Sequence, residues 1–288
     1  MSQPDLLAAV SDIHGGSLHG LCPPEGIELQ GGARFIPTTA TKERWSYWLD
    51  YWREVAARKK ELGAKLSVLL NGDLVDGTKY QDESIDTGGS TQIKVATACL
   101  GPMLACEPEH VFVTRGTPSH VGRQAEYEEV VARRAGAMLD PKTKTHAAYF
   151  WLLQSHGRTI LATHHPPQGW RLVRTRGSQA ALGANEVANR FWERKGPDGR
   201  GLDAPDVAIF AHGHEPNEGP PVLPHRVGTR TIYLGPWQGK TQYAERVAPL
   251  SWNESHGVLV TIWPERWRSM LVDHFVYPLK LQLSPVEL

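Results

Sequence analysis

Residues 6–14 read Leu-Leu-Ala-Ala-Val-Ser-Asp-Ile-His, a short apolar run that leads at once into polar side chains. Apolar runs of this length, bounded by turn residues, are typical of strands that are buried on both faces. Four more such runs lead into polar segments at Asn71, Arg115, His164 and His212. Strands buried on both faces need helices or a second sheet to cover them, so the five runs predict an α/β fold.

Segments with the periodicity of a helix lie between some of these runs. Trp45, Trp48 and Trp52 recur at helical spacing between the first two runs, and Gly63 stands where a C-terminal cap belongs. We expect this helix to cover the sheet and to bury its tryptophans. The other predicted helices and strands are Gln124–Leu139, Ala180–Arg194, Tyr149–Ser155, Thr159–Thr163, Thr231–Leu234, Val258–Trp263 and Met270–Tyr277. No repeat or linker interrupts the pattern, which predicts one domain over residues 1–288.

The composition is that of an ordinary folded protein. Of the 288 residues, 40% are hydrophobic and 22% are charged, which excludes disordered, collagen-like and coiled-coil chains. Thirty-one basic residues balance thirty-one acidic ones, so no global charge draws the chain to nucleic acid or to an anionic membrane. Three irregularly spaced cysteines fit neither a disulfide framework nor a zinc ribbon. Because we find neither a secretory signal nor an apolar stretch long enough for a membrane helix, we expect a cytoplasmic protein.

A long stretch rich in glycine and proline, Gly15–Thr39, follows the first apolar run. It has the periodicity of neither a helix nor a strand. Two interpretations are open: a functional or mobile lid, which is common for such stretches in compact domains, and a disordered surface insertion.

The polar residues at the ends of the runs are the candidates for chemistry, because open α/β sheets bind ligands at the carboxyl ends of their strands. Six of them offer carboxylate oxygen or imidazole nitrogen: Asp12, His14, Asp73, His164, His212 and His214. A mixed oxygen and nitrogen set suits Mn²⁺, Fe, Zn²⁺ or Co²⁺ better than Ca²⁺ or a thiolate-bound metal. Since one catalytic zinc uses only three protein ligands, six candidates indicate two adjacent metal ions.

The order of these motifs resembles that of the calcineurin-like metallophosphoesterases over roughly residues 6–214. The chain has Asp-x-His at 12–14, Gly-Asp-x-x-Asp at 72–76, a Gly-to-His segment at 116–120, His164, and His-x-His at 212–214. The resemblance implies a four-layer α/β/β/α sandwich of two mixed sheets. It also implies two divalent metal ions, with Mn²⁺ favoured and Fe, Zn²⁺, Co²⁺ or Mg²⁺ as alternatives. The implied ligands are Asp12, His14 and His214 for one ion, His164 and His212 for the other, and Asp73 between the two.

The third motif departs from the family pattern. The family has Gly-Asn-His, where the amide oxygen is a metal ligand and the histidine protonates the leaving group, whereas this chain has Gly-Thr-Pro-Ser-His at 116–120. Thr117 offers a hydroxyl and a carbonyl oxygen in place of the amide, and similar variants occur in phage-type members of the family. We expect His120 to be the general acid, with a solvated loop histidine as the alternative interpretation.

Other residues near these motifs have two interpretations each. His165 either replaces His164 as a ligand or caps the strand. Asp76 is either a helix N-cap or a group that contacts a metal ligand from behind. The arginines and the tryptophan that follow the fourth run either hold the substrate or form a solvated basic loop: Trp170, Arg171, Arg174 and Arg176.

The sequence therefore predicts a binuclear metal-dependent phosphoesterase, in which a metal-bridging hydroxide attacks a phosphomonoester or phosphodiester in line. Gly77 stands where the protein Ser/Thr phosphatase branch has arginine, which argues against a phosphoprotein substrate. Nucleic acid is expected only as a substrate, because zero net charge gives no support for binding a long duplex. The alternatives are a catalytically degenerate interaction scaffold and a mononuclear metal hydrolase. The oligomeric state is left open.

Overall fold

The computed structural model describes residues 3–29, 31–78, 81–86, 88–122, 124–167, 176–196, 200–214, 216–222, 229–247, 254–265 and 270–278. Its strands are β1 (Asp5–Val10), β2 (Ile27–Glu28), β3 (Arg34–Phe35), β4 (Lys65–Leu70), β5 (His110–Thr114), β6 (Ala147–Ala148), β7 (Trp151–Ser155), β8 (Arg158–Ala162), β9 (Val207–Phe210), β10 (Asn217–Val222), β11 (Thr229–Tyr233), β12 (Ser255–Ile262) and β13 (Leu271–Tyr277). Its helices are α1 (Thr39–Leu62), α2 (Gly89–Cys99), α3 (Gly101–Leu104), α4 (Pro118–Val121), α5 (Glu126–Arg134), α6 (Arg176–Glu193) and α7 (Gln242–Val247).

The strands form two mixed sheets and a small hairpin of β2 and β3. The first sheet has the order β13-β12-β1-β4-β5-β6, in which β1, β4, β5 and β6 are parallel, β12 is antiparallel to β1, and β13 is antiparallel to β12. The second sheet has the order β10-β11-β9-β8-β7, with β11, β9 and β8 parallel. Val10 pairs with Leu70 at the carboxyl ends of β1 and β4, so the polar residues that follow both strands leave the sheet at the same edge.

The two sheets pack face to face because side chains alternate along each strand. Leu7 and Ala9 of β1 lie in a cluster with Ile160, Val207 and Ile232 of the second sheet. The intervening β1 residues face the other way, into a cluster with the helices: Leu6, Ala8 and Val10 with Trp48, Trp52 and Val55. A third cluster joins the outer face of the second sheet to α6: Ala208, Phe210 and Tyr233 with Val187. The layers are therefore helix, sheet, sheet and helix, which confirms the predicted α/β sandwich.

Helix α1 ends where the sequence predicts. The Thr38 hydroxyl accepts a hydrogen bond from the backbone N–H of Thr41 at its start, and Gly63 closes it in the left-handed conformation (φ 58°). Trp48 and Trp52 are buried as expected, whereas Trp45 is only partly buried against the same core.

Helices α5 and α6 differ in extent from the prediction. Helix α5 covers 126–134 and not 124–139, because Ala125 before it and Gly136 after it have left-handed backbone. The N–H of Gly136 donates to Arg133 O and that of Ala137 to Ala132 O, which is the usual closure of a helix at such a glycine. Helix α6 begins at Arg176 and not at 180, and α2 and β10 have no counterpart in the prediction.

The first part of Gly15–Thr39 is packed into the fold. Leu21 and Cys22 are fully buried, the N–H of Leu21 donates to Ile13 O, and the N–H of Leu18 donates to Glu83 O. A disordered surface insertion therefore does not describe residues 15–22. Within the described ranges, no helix combines the length and the apolar character that crossing a membrane requires.

Candidate metal centre

The polar segments that follow five strands meet at one edge of the sandwich. Asp12 follows β1, Asp73 follows β4 and Thr117 follows β5 in the first sheet, while His164 follows β8 and His212 follows β9 in the second. The backbone ties these ends together, since the N–H of Asp12 donates to Gly72 O. The carboxyl ends of parallel strands from both sheets thus form the site, as the sequence predicts.

Asp73 lies at the middle of this group and is almost fully buried. The backbone N–H of Thr117 donates to Asp73 Oδ1 (2.6 Å), and the Thr117 hydroxyl donates to Oδ2 (3.0 Å). His164 Nε2 is 3.1 Å from the same Oδ2. Burial opposes ionisation of Asp73, but the charge of His164 and its hydrogen bond outweigh burial and hold the carboxyl pKa below its ordinary value.

Asp12 is the second buried carboxylate of the site. His214 Nε2 is 3.2 Å and His14 Nε2 is 3.8 Å from Asp12 Oδ1. Although both atoms are buried, neither Asp12 Oδ1 nor His14 Nε2 has a partner among the described residues with the geometry of a hydrogen bond, so the approach of His214 to Asp12 Oδ1 is a charge contact only. Buried polar atoms without a partner are costly, and a divalent cation between these nitrogen and oxygen atoms would satisfy them. The donor atoms therefore fit a metal ion.

The same residues have unusual backbone conformations. Nine described residues other than glycine have positive φ, and five of these are candidate ligands: Asp12, His14, Asp73, His212 and His214. Left-handed backbone is uncommon outside glycine, and such conformations cluster at functional sites because the surrounding structure must hold them in place. This strain supports a functional interpretation of the group.

The donor atoms fall into overlapping sets, each with its atoms within 4.8 Å of one another: Asp12, His14 and His214; Asp12, Asp73 and His164; His164, His165 and His212; His14, Asp76 and His120. The first set is the one that the family resemblance implies for one ion. The third set brings His165 beside His164 and His212, the pair that the resemblance implies for the second ion. Both His164 and His165 therefore lie at the centre. His164 is buried, whereas His165 is on the exposed rim.

Thr117 lies where the family resemblance requires a neutral oxygen ligand. Its hydroxyl oxygen is 3.0 Å from His212 Nδ1 and 3.4 Å from His164 Nε2, in addition to its contact with Asp73. The metal-binding role of Thr117 stays a prediction, but its oxygen is within reach of all three groups.

Two contacts orient the histidines from behind. His14 Nδ1 is 3.1 Å from Asp76 Oδ1, and His164 Nδ1 is 2.7 Å from Asn71 O. These contacts leave Nε2 of each ring facing the carboxylates, which is the usual support for a metal-binding histidine. Asp76 begins no helix, so its interpretation as an N-cap is wrong. Burial would lower the pKa of both histidines, but Asp12 and Asp76 raise that of His14 to about 10, and Asp73 raises that of His164 to about 9.

His120, on α4, belongs to the last of the donor sets, with His14 and Asp76. Its Nδ1 is 2.7 Å from the backbone oxygen of Asp76, and its ring packs edge-on against that of His14 with centroids 4.6 Å apart. Burial, followed by the charge of His14, lowers the pKa of His120 below its ordinary value. Because Nδ1 is committed to Asp76, Nε2 is the atom that can exchange a proton with a substrate.

Sequence reasoning missed Glu128, which is fully buried beneath the site. Its Oε2 accepts the N–H of Gly116 (2.7 Å) and its Oε1 accepts that of Leu74 (3.1 Å), so one carboxyl group joins the segments that carry Asp73 and Thr117. Burial and then the Asp73 charge raise the pKa of Glu128 to about 8. Its place in the acidic first turn of a predicted helix gave no signal of this role.

The segment after β11 also reaches the site, which the sequence did not predict. The N–H of Trp237 donates to Asp12 O (3.0 Å), and Gln238 Nε2 donates to Ser17 Oγ (3.2 Å). Trp170, Arg171 and Arg174 lie outside the described residues, as does the side chain of Arg176, so their predicted substrate contacts stay predictions.

Comparison with known proteins finds a distant likeness in fold. No protein-family model matches the chain, and no curated protein does. Among solved structures, Chaetomium thermophilum Vps29 is 12% identical, with 96% of this chain and 98% of that chain covered and a TM-score of 0.39. The Thermus thermophilus sulfate thiohydrolase SoxB is 14% identical, with 96% and 57% covered and a TM-score of 0.42.

Proposed function

We propose that the chain is a divalent-metal-dependent phosphoesterase of the calcineurin-like type. The observation that carries the proposal is the group of buried carboxylates and imidazoles around Asp12 Oδ1 and His14 Nε2, two atoms that have no hydrogen-bond partner among the described residues. When bound, two cations would supply Lewis acidity, which activates a water molecule and neutralises charge on the phosphoryl oxygens.

The ligands divide between the two ions as the family resemblance implies. Asp12, His14 and His214 would hold one ion, His164 and His212 the other, and Asp73 would contact both, with Thr117 in the place of the family's amide. The oxygen and nitrogen donors suit Mn²⁺, and Fe, Zn²⁺, Co²⁺ or Mg²⁺ are the alternatives. The short distances from Asp73 to His164 and Thr117 support its central place.

Hydrolysis adds a water oxygen to phosphorus while the ester P–O bond breaks. The departing alkoxide takes a proton, and His120 is the residue proposed to donate it from Nε2. The contact between Nδ1 and the Asp76 backbone oxygen fixes the ring, which supports this role. His120 must therefore gain its second proton before or during substrate binding, because burial favours the neutral ring.

Gly77 bears on the substrate class. A Cβ at this position would lie 2.4 Å from the backbone oxygen of His120, and φ is +77°, so a larger residue requires α4 to move. The arginine of the protein Ser/Thr phosphatases therefore has no room here, which supports a substrate other than a phosphoprotein.

The test combines metal stoichiometry with hydrolysis. Protein loaded with Mn²⁺ and freed of excess metal should hold about two ions per chain by plasma mass spectrometry, and it should hydrolyse p-nitrophenyl phosphate or bis(p-nitrophenyl) phosphate but not p-nitrophenyl acetate. Asp73→Asn should abolish the Mn²⁺-dependent hydrolysis, whereas Asp203→Asn, the same change at an exposed position, should not.

Other outcomes would favour the two alternatives. One ion per chain with preference for the acetate ester would indicate a mononuclear hydrolase of another class. No bound ion and no hydrolysis would indicate an interaction scaffold. Near-normal hydrolysis by Asp73→Asn would contradict the central role of that carboxylate.

A further inference from the structure

A cleft of about 610 Å³ opens beside the candidate metal centre. Two of its lining residues also belong to the centre. Gly116 lies so close to Asp73 that a Cβ there would be 2.2 Å from Asp73 Oδ1, and His165 shares a donor set with His164 and His212. The cleft therefore begins where a bound phosphate would lie, and its volume is within the range of pockets that hold small organic ligands.

The lining is mostly apolar and rich in aromatic rings. Phe210 is buried at the cleft and Phe191 is partly buried beside it. Tyr149 and Phe150 are adjacent in the chain and are 64% and 54% exposed. Exposed aromatic side chains that line a cavity are typical of sites that hold a flat ring, because every aromatic ring offers a face for stacking.

The charged lining residues are all basic. Arg115, Arg190 and Arg194 line the cleft, and no aspartate or glutamate does so among the residues with described positions. The Arg115 guanidinium lies 4.4 Å from the centroid of the Tyr149 ring, and Arg190 pairs with Glu186 on its own helix (2.7 Å). Such a lining disfavours a cationic ligand and accepts a neutral or anionic ring, since guanidinium groups also stack on aromatic faces.

We propose that this cleft binds the organic group of the phosphate ester, and that this group is a nucleoside-sized alcohol with an aromatic base. The proposal rests on the proposed function, because that function places the phosphorus at the metal centre. An alcohol that consists of a sugar alone would need many hydrogen-bonding partners, which a cleft lined mainly by aromatic and aliphatic groups does not offer, whereas the base of a nucleoside can stack on its rings.

The test compares two ligands that differ only in the base. One is the methylene phosphonate analogue of adenosine 5′-monophosphate, whose P–C bond is not hydrolysed, and the other is the same ribose phosphonate without the base. Calorimetric titration of the Mn²⁺-loaded protein should give at least about tenfold tighter binding for the ligand with the base, since base stacking contributes on that order.

Variants at the rim of the cleft test whether the difference in affinity between the two ligands arises there. Tyr149→Ala combined with Phe150→Ala should remove most of the advantage given by the base. Leu152→Ala, at a residue that is 44% exposed on β7 and does not line the cleft, should retain it. Equal affinities for the two ligands in the unmodified protein, or an advantage that survives the double change, would overturn the proposal.

Hydrolysis of p-nitrophenyl phosphate, a monoester, and of ethyl p-nitrophenyl phosphate, a diester, separates this proposal from the one on which it rests, because neither ester has a base. Base-dependent binding without hydrolysis of either ester would retain the cleft and remove the phosphoesterase function. Hydrolysis without base-dependent binding would retain the function and remove the nucleoside-sized substrate.

Discussion

At the scale of single residues, the candidate ligands combine burial with unfavourable backbone. Asp12, His14 and Asp73 are buried and have φ of 52°, 43° and 52°. Each such conformation costs on the order of 1–3 kcal/mol and persists only where the surrounding structure holds it in place. Contacts from behind, such as that of Asp76 with His14, provide this support. The site thus has positioned donor atoms at a cost in stability, which is expected for a functional group of residues and not for a structural one.

The role of His120 as a proton donor can be tested by changing the leaving group. His120→Ala should slow hydrolysis of an alkyl phosphodiester by about 10²–10⁴-fold, which is the usual contribution of a general acid. It should slow hydrolysis of a p-nitrophenyl ester much less, because nitrophenolate leaves without protonation. Steady-state kinetics on both esters would check this, and equal losses would show that His120 acts through binding or position instead.

Glu128 provides a second test at this scale, because its two oxygens accept two backbone N–H groups. Glu128→Gln has the same shape but replaces one acceptor with an NH₂ donor, which leaves one buried N–H unpaired. We expect a loss of about 1–3 kcal/mol in the free energy of unfolding, together with weaker Mn²⁺ binding.

Urea unfolding and metal stoichiometry would measure these two effects. Glu126→Gln is the matched control, since Glu126 is exposed in the first turn of the same helix. If the two variants gave the same unfolding midpoint and the same metal content, Glu128 would have no special part in holding the site.

At the scale of elements, the alternation along β1 decides how the layers form. Leu7 and Ala9 face the second sheet, while Leu6 and Ala8 face the helices. Both faces are apolar because both are covered, so the strand appears in the sequence as a continuous apolar run. A run of this kind predicts burial but does not say which face meets which layer.

The end of α1 gives a prediction at this scale. Gly63 has φ 58°, and a Cβ there would meet no atom within 4 Å, so Gly63→Ala changes only the backbone preference. We expect a loss of about 1 kcal/mol in the free energy of unfolding. Gly101→Ala is the matched control, because Gly101 also has open space around it but begins α3 without a positive φ.

Denaturant unfolding of both variants would measure the difference. The control should be unchanged or slightly more stable, by at most about 1 kcal/mol, because alanine restricts the unfolded chain. Equal stability of the two variants would mean that the left-handed cap of α1 contributes nothing.

At the scale of the whole molecule, a chain of hydrogen bonds joins the two sheets. The N–H of Gly235, which follows β11, donates to His256 Nδ1 on β12 (3.0 Å). His256 Nε2 then contacts His274 Nδ1 on β13 (3.0 Å), and His274 Nε2 contacts Glu218 Oε2 on β10 (2.7 Å). His256 is fully buried and must be neutral to accept from Gly235, so the contact between the sheets depends on its protonation.

This arrangement predicts a pH dependence of stability. Burial and then the charge of His274 lower the pKa of His256 from 6.5 to about 3. Between these two pH values the unfolded chain binds a proton at His256 that the folded protein does not bind. The free energy of unfolding should therefore fall as the pH decreases through this range, by up to about 1.4 kcal/mol per pH unit from this residue.

Urea unfolding at several pH values between 7 and 4 would measure this slope. His256→Asn should have a smaller slope than the unmodified protein, while His110→Asn, at an exposed histidine, should leave the slope as it is. The prediction would be wrong if the slopes of the unmodified protein and of His256→Asn coincided.

The sequence by itself determined the class of fold and the residues to consider. Apolar runs that end in polar groups predict parallel buried strands, and the ends of such strands share an edge, so Asp12, Asp73, His164 and His212 could be grouped before any coordinates. These features are local, since strand periodicity and turn residues act within a few positions of the chain.

Only the tertiary structure decided which atoms meet. The place of the Thr117 hydroxyl between Asp73 and His212, the buried carboxyl of Glu128 and the aromatic cleft at Tyr149 all depend on contacts between residues far apart in sequence. Side-chain direction at such contacts follows from backbone angles and from the packing of two sheets against each other, and no local pattern in the sequence encodes these.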